Sequence, residues 1–234
     1  MPNTGEKLKT GFGKPGKGLR TALSGPKDLV VVVASGQLAS KQPLRQVLGQ
    51  ADLVVAADGG LLHLAKLGVR PDVLIGDLDS LNGSPPEDFP VLPSPREKDA
   101  TDLELALDFV AELNPREVHV FAALGGRLDH ALGTIQVLSR YAFPIVLHHK
   151  PETLYLVQKR GEIPAQVGDL VSLIPLTARA QGITTQGLRY ALKGGTLKRE
   201  ATRGISNEVT SLPCLVEVRS GKLLVVHTPQ QKRR

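Results

Sequence analysis

EVHVFAALGGRLDHALGTIQVL, residues 117–138, changes its hydrophobic rhythm at a pair of glycines. Before Gly125 and Gly126 the run is mostly apolar and rich in valine, the pattern of a strand buried on both faces. After them Leu128, Ala131, Leu132, Ile135 and Leu138 recur at helical spacing. A strand that turns through glycines into an amphipathic helix is part of a βαβ unit, so this stretch commits the chain to a parallel sheet with helices on it.

The pattern extends to both sides. Strand-like runs LVVVVAS from Leu29, LVVAAD from Leu53, DVLIGD from Asp72 and IVLHH from Ile145 flank the unit, and a second helical stripe joins Leu103, Ala106, Leu107, Val110 and Leu113. Both stripes are expected to pack into the core. Residues 28–150 therefore read as an α/β domain built on a parallel sheet, Rossmann-like in plan. After Pro151 helical periodicity fades, and short runs (DLVSLIPL from Asp169, LVEVRS from Leu215, KLLVVH from Lys222) are separated by Gly, Pro and Ser. A smaller antiparallel β domain is expected over residues 151–230.

The formal charge of the 234-residue chain is +6, but its basic residues are unevenly placed. Residues 1–27 carry six Lys/Arg against one Glu, and Lys232, Arg233 and Arg234 close the chain, which leaves the body slightly acidic. Residues 1–27 read as a flexible basic tail rather than a nucleic-acid arm, and eight scattered aromatics form no base-stacking platform. No apolar run reaches the ~18 residues of a membrane span, and no secretory stretch opens the sequence. A lone cysteine, Cys214, excludes an intrachain disulfide and a cysteine-based zinc site. The expectation is a cytoplasmic protein with neither nucleic acid nor membrane as partner.

Three acidic clusters carry the chemistry. Asp77 and Asp79 follow the strand DVLIG; two residues apart in extended chain, they point the same way and can share a magnesium ion. An acidic turn would explain them too. Lys98, Asp99, Thr101 and Asp102 precede a helix whose Thr101 and Glu104 match a capping box, at a position where phosphates also bind. Gly126, Arg127, Asp129 and His130 open the next helix, where the glycines admit a ligand close to the backbone and Arg127 can neutralise phosphate charge. A plain glycine turn is the structural alternative. Two more glycine turns, Ser35-Gly36 and Asp58-Gly59-Gly60, end the first two strands. All five features fall at strand C-termini, the edge where open parallel sheets bind ligands. Carboxylates brought to ~4 Å there would repel by ~4 kcal/mol per pair at an effective dielectric of 20, so the cluster calls for a cation or a proton.

Together these motifs, in this order and at these separations, resemble the thiamine pyrophosphokinase family, and Arg203-Gly204-Ile205-Ser206-Asn207-Glu208 looks like its thiamine-binding segment. The resemblance covers residues 29 to 228. It implies an α/β catalytic domain followed by a β-sandwich, and a homodimer that binds thiamine between subunits. It also implies use of ATP and Mg2+ to make thiamine diphosphate and AMP. By position, Asp77, Asp79 and Asp102 would be the magnesium centre, with Arg127 and Asp129 beside the transferred group. Ser35, Gly36, Asp58, Gly59, Lys98, Asp99, Thr101 and Gly126 would surround the nucleotide, and Ser206 with Asn207 would meet thiamine. The acceptor could instead be another hydroxymethyl heterocycle such as a pterin, or the chain could be a non-catalytic nucleotide or thiamine diphosphate sensor. With no tryptophan in the chain, the wall against the substrate must come from Tyr, Phe or aliphatic groups.

Overall fold

The computed structural model describes residues 25–77, 90–94 and 99–230. Most of the basic tail, together with Asp79 and Lys98, lies outside them. Four helices are described, α1 (Lys41–Leu48), α2 (Gly60–Ala65), α3 (Asp102–Ala111) and α4 (Leu128–Val137). The first six strands are β1 (Leu29–Val33), β2 (Leu53–Ala57), β3 (Val73–Gly76), β4 (Val91–Pro93), β5 (Glu117–Phe121) and β6 (Ile145–His149). They pair in parallel in the order β6-β5-β1-β2-β3-β4. The chain thus runs outward from β1 to β4, then returns to lay β5 on the other side of β1. The valine runs explain why these strands lie inside: Val30 to Val33 and Leu53, Val55 and Ala56 are fully buried, sandwiched between helices on both faces.

The remaining strands are β7 (Glu152–Val157), β8 (Arg160–Ile163), β9 (Leu170–Pro175), β10 (Arg179–Gln186), β11 (Gly195–Lys198), β12 (Asn207–Glu208), β13 (Cys214–Glu217) and β14 (Leu223–Thr228). Four of them, β7, β14, β9 and β12, continue the first sheet in antiparallel fashion to make ten strands among the described residues. The other four form a separate antiparallel sheet, β11-β10-β13-β8. Val171, Leu173, Ile183, Val216, Leu223 and Val225 make a core between the two sheets. The sequence boundary at residues 150/151 falls in the turn between β6 and β7, and the sheet passes through it unbroken. Lys222, beside β14, donates through Nζ to the carbonyls of Ser139 and Tyr141 at 2.8 and 2.5 Å, satisfying backbone acceptors just beyond α4.

One helical stripe behaves as expected and one does not. Leu103, Ala106, Leu107 and Val110 of α3 are buried over β1, β2 and β3. On α4, Leu128 is 73% and Leu132 53% exposed, while Ala131 and Ile135 are half-buried and Leu138 alone is buried. The expectation that this whole stripe is core is therefore corrected. The cause is placement: α4 packs chiefly on α3 and on its own 3-10 extension, Leu138–Arg140, instead of lying on the strands. An apolar face is written into its sequence, but nothing in the sequence says what covers it.

A buried carboxylate–imidazole hydrogen bond ties β14 to the start of β9. His227 Nε2 lies 2.8 Å from Asp169 Oδ2, and Asp169 also accepts from the backbone N–H groups of Gln166 and Gln230. Burial opposes ionisation of Asp169, yet these donors outweigh it and hold its pKa below the ordinary value. With the folded pKa depressed, its stabilisation is complete above the unfolded carboxylate value near ~3.9 and fades as pH falls through the folded pKa. Asp169→Ala is expected to lose about 3 kcal/mol at pH 7 by orphaning His227 and two N–H groups. Urea unfolding should show the gap between wild type and variant narrowing below about pH 4.

Candidate functional site

The site grows from the point where β1 and β5 leave the sheet side by side. Gly36 N–H donates to the Ala122 carbonyl at 2.8 Å, and Ala122 itself takes a left-handed backbone (φ +54) to make the bend. A methyl group on Gly36 would come within 2.5 Å of that carbonyl oxygen, so only glycine fits. The two exits and α3 enclose a cleft of about 460 Å³. Ser35, Gly36, Thr101, Asp102, Gly126 and Arg127 line it, together with His130 and Thr134 one turn apart on α4.

Beside the cleft the glycine turn after β2 packs with equal closeness. Asp58 is buried with φ +45, its N–H donates to the Ile75 carbonyl, and a methyl group on Gly60 would sit 1.9 Å from the Val33 carbonyl oxygen. Gly60 therefore lets α2 start directly on the end of β1, with Gly59 buried beside it. Gly76 ends β3 against the same group of residues. A methyl group there would lie 3.1 Å from Asp58 Cα and Cβ and 3.2 Å from Asp102 Oδ1. Asp58, Asp102 and the half-buried Asp77, next to Gly76, are thus gathered from the ends of β2 and β3 and the first residue of α3. Asp102 belongs both to the cleft lining and to this acidic group.

Thr101 Oγ1 accepts from Glu104 N at 3.2 Å and so caps α3; the same hydroxyl can still donate its own proton outward. The structural and functional readings of this motif therefore coexist. Ser94 Oγ donates to Asp102 Oδ1 over 3.4 Å. Asp99 is exposed and not part of the cleft lining. Arg127 holds Asp129 with two bonds, Nε to Oδ1 at 3.1 Å and Nη2 to Oδ2 at 2.6 Å. The Arg127 hydrogen bonds are the main reason the Asp129 pKa is held down at about 2, and the guanidinium pKa is raised in return. Both side chains are exposed, so the pair contributes little to stability and can exchange partners.

The second sequence segment is arranged differently from its expectation. Ser206 is exposed with φ +56, but Asn207 is buried and its amide is engaged: Oδ1 accepts from Tyr190 N and Glu208 N, and Nδ2 donates to the Tyr190 carbonyl. Asn207 thus fastens the backbone of Tyr190, a residue that is 71% exposed. Sequence reading placed His130 in the third cluster and missed Tyr190 and Ser94 as members of these surfaces, for neither of which the sequence carried a signal.

Oxygen donors gathered around Gly76 suit a hard divalent ion such as magnesium. Among the described residues no three His, Cys, Asp or Glu close on a single point, but Asp79 lies outside them. The helix N-terminus at Thr101 and the backbone at Gly126 suit phosphate oxygens.

Two family models match this chain. "Thiamin pyrophosphokinase, catalytic domain" covers residues 44–147, and "Thiamin pyrophosphokinase, vitamin B1 binding domain" covers residues 158–223. The thiamine pyrophosphokinase of Bacillus subtilis (strain 168) is 30% identical over 192 residues, 76% of this chain and 88% of that one. Thiamine pyrophosphokinase 1 of Oryza sativa subsp. japonica is 28% identical over 211 residues, 76% and 79% of the two chains. The crystal structure of thiamin pyrophosphokinase from Geobacillus thermodenitrificans matches with a TM-score of 0.73 at 29% identity, over 87% of this chain and 99% of that one.

The glycines of the site separate into packing and access positions. Gly60→Ala is expected to destabilise the chain by about 3 kcal/mol, because α2 must lift off β1. Gly126→Ala, where an added methyl meets nothing within 4 Å, should stay within about 0.5 kcal/mol of wild type in the same urea titration.

Proposed function

Because the chain belongs to the thiamin pyrophosphokinase family, we propose that it transfers the pyrophosphoryl group of ATP to the hydroxyl of thiamine, giving thiamine diphosphate and AMP. The observation that carries this reading is the double position of Asp102, which lines the nucleotide-sized cleft and also faces the acidic group at Gly76. Nucleotide phosphates in the cleft then come to rest beside carboxylates that have gathered for a cation.

Asp77, Asp79 and Asp102 are the residues assigned to hold Mg2+, which when bound neutralises charge on the phosphates. Thr101 through its hydroxyl, the N–H groups at the start of α3, and the Ser35-Gly36 and Gly126 turns position the triphosphate, and Lys98 is the cation assigned to the same nucleotide. Asp58, Gly59 and Asp99 shape the acidic rim. Arg127 leaves Asp129 for the transferred group as negative charge builds there. The thiamine hydroxyl oxygen forms a bond to the β-phosphorus, the bond from that phosphorus to the α–β bridging oxygen breaks, and its electron pair leaves with AMP. A carboxylate of the cluster accepts the hydroxyl proton. Once Arg127 has turned away, Asp129 loses the interaction that lowered its pKa most and becomes more basic.

Thiamine is assigned to a site shared by two copies of the chain. In the sheet order, β12 with Asn207 stands five strands from β5 and eight from β3. At ~4.8 Å per strand these separations are about 24 and about 38 Å, too far for one small substrate to touch Ser206 and the acidic edge of the same chain. A homodimer that brings Ser206 and the exposed Tyr190 of one copy to the cleft of the other removes the difficulty. Exposed Leu128 and Leu132 on α4, beside that cleft, supply an apolar face for such a contact. Tyr190 is then the aromatic wall, with Asn207 holding it in place. No described helix is long and apolar enough to cross a membrane, and the one cysteine is free and buried. We assign the enzyme to the cytoplasm.

AMP release from ATP, with thiamine or hydroxymethylpterin and with or without magnesium, tests the assignment directly. Magnesium-dependent turnover with thiamine supports it; a response to the pterin alone changes the acceptor, and tight binding without turnover indicates a sensor. Asp77→Asn and Asp102→Asn are each expected to lower turnover at least ~100-fold while the protein remains folded. Tyr190→Ala should raise the KM for thiamine, and Tyr190→Phe should keep it near wild type. At thiamine well below the KM of the Tyr190→Ala protein, mixing it with Asp102→Asn protein should give more activity than either alone, because mixed dimers contain one intact site; no gain there would exclude a shared site.

A further inference from the structure

Away from the cleft, β5 and β6 bring two imidazoles together. Glu117, His119 and Phe121 alternate along β5 and so point to one face of the sheet. His148 stands opposite Phe121 on β6, its ring stacked flat on the phenyl group with centroids 4.1 Å apart and planes 1° from parallel. Its Nε2 lies 3.0 Å from His119 Nδ1, while His119 Nε2 faces Glu117 Oε1 at 3.4 Å. None of these three side chains lines the cleft, and the pyrophosphoryl transfer uses none of them.

We propose that His119 Nδ1 and His148 Nε2 form a two-imidazole site for a borderline divalent transition metal, copper(II) foremost and nickel(II) next, separate from the magnesium centre. The metal class follows from donor type and spacing. Imidazole nitrogens suit copper, nickel and zinc, whereas magnesium selects oxygen. With metal–nitrogen bonds of about 2.0–2.1 Å, nitrogens 3.0 Å apart subtend roughly 95° at the ion. That is close to the cis angle of a tetragonal ion and narrower than the tetrahedral angle zinc prefers.

The surroundings organise both rings. Stacking on Phe121 fixes the plane of His148. Glu117 accepts the Nε2 proton of His119, which leaves Nδ1 with its lone pair, the arrangement by which carboxylates orient metal-binding histidines. Burial first, and then the neighbouring His119, push the His148 pKa down to about 4, so its ring is neutral at pH 7. The tilted ring pair is linked in the absence of metal by one proton, donated from one nitrogen to the other. With His119 Nδ1 as the acceptor, His148 Nε2 is the donor, and as the metal binds that proton passes to the Nδ1 of His148 itself, so no proton is released overall. Both histidines are partly exposed, which leaves access for water at the remaining coordination positions, since among the described residues no third His, Cys, Asp or Glu completes the group.

The test is calorimetric titration of the full-length chain, free of any polyhistidine tag, with copper(II), nickel(II) and zinc(II) in a non-chelating buffer. Electron paramagnetic resonance of the copper form accompanies it. One high-affinity equivalent with a nitrogen-coupled copper signal is expected, copper binding more tightly than zinc. His119→Ala and His148→Phe should each abolish it, Glu117→Gln should weaken it about tenfold, and His149→Ala should leave it unchanged. His148→Phe keeps a ring on Phe121, and a wild-type circular dichroism spectrum certifies its fold. If that variant unfolds, loss of the nitrogen-coupled signal in folded His119→Ala carries the test. Binding that persists in the folded His119 or His148 variant, that disappears with His149→Ala, or that favours zinc over copper overturns the proposal.

Discussion

Much of this structure depends on one reversal of strand order. From β1 the chain works outward to β4 and then comes back to place β5 on the opposite flank of β1, so the loops leaving β1 and β5 run apart. A gap opens between them, and the Gly36-to-Ala122 hydrogen bond sets how narrow it is at the base. Ser35, Gly36, Thr101, Asp102, Gly126 and Arg127 border that gap because each follows a strand that ends there or stands at the start of a helix that begins there. The left-handed Ala122 and the side-chain-free Gly36 are the local adjustments that let two strand exits approach so closely. Tight packing and ligand access are met by the same few residues.

The parallel half of the sheet was legible from the valine-rich runs, since a strand buried on both faces leaves no other composition open. The glycine turns were legible as well, and Gly36, Gly60 and Gly76 prove to be positions where a side chain would strike a neighbour. What covers α4 was not legible. Leu128 and Leu132 form a regular stripe, and periodicity records that a face is apolar without recording whether its cover is this chain or another. The continuity of the sheet past residue 150 was equally hidden, because it depends on β7 pairing with β6 and on β14 and β9 joining from far along the chain. That Asn207 fastens Tyr190 was hidden too, since local sequence cannot reveal that the backbone of Tyr190 comes within reach of its amide. Asp77 and Asp102 were found as parts of acidic motifs, but their approach to Gly76 beside Asp58 is a tertiary event that brings the ends of β2 and β3 to the start of α3.

The exposed ion pair at the head of α4 adds a chemical aspect to this geometry. Arg127 and Asp129 satisfy each other in a bidentate bond at the mouth of the cleft, and both remain solvated. An arginine held this way is pre-oriented without being locked, because water and an incoming anion can replace the carboxylate at low cost. The neighbouring Asp102 differs in both respects, being half-buried and in contact with Ser94. A solvated and a half-buried charge therefore border the same opening.

The unbroken sheet through residues 150 and 151 has a mechanical consequence. Chains made of a nucleotide-binding half and a substrate-binding half commonly bend at a linker to admit and release their ligands. Here the two halves share backbone hydrogen bonds from β5 through β6 to β7, so the molecule is a girder with no internal hinge at that junction. In the proposed dimer, the opening and closing that catalysis demands must then come from sliding of one girder against the other, or from the turns at their ends. Control of such an enzyme would act on how two stiff bodies are spaced.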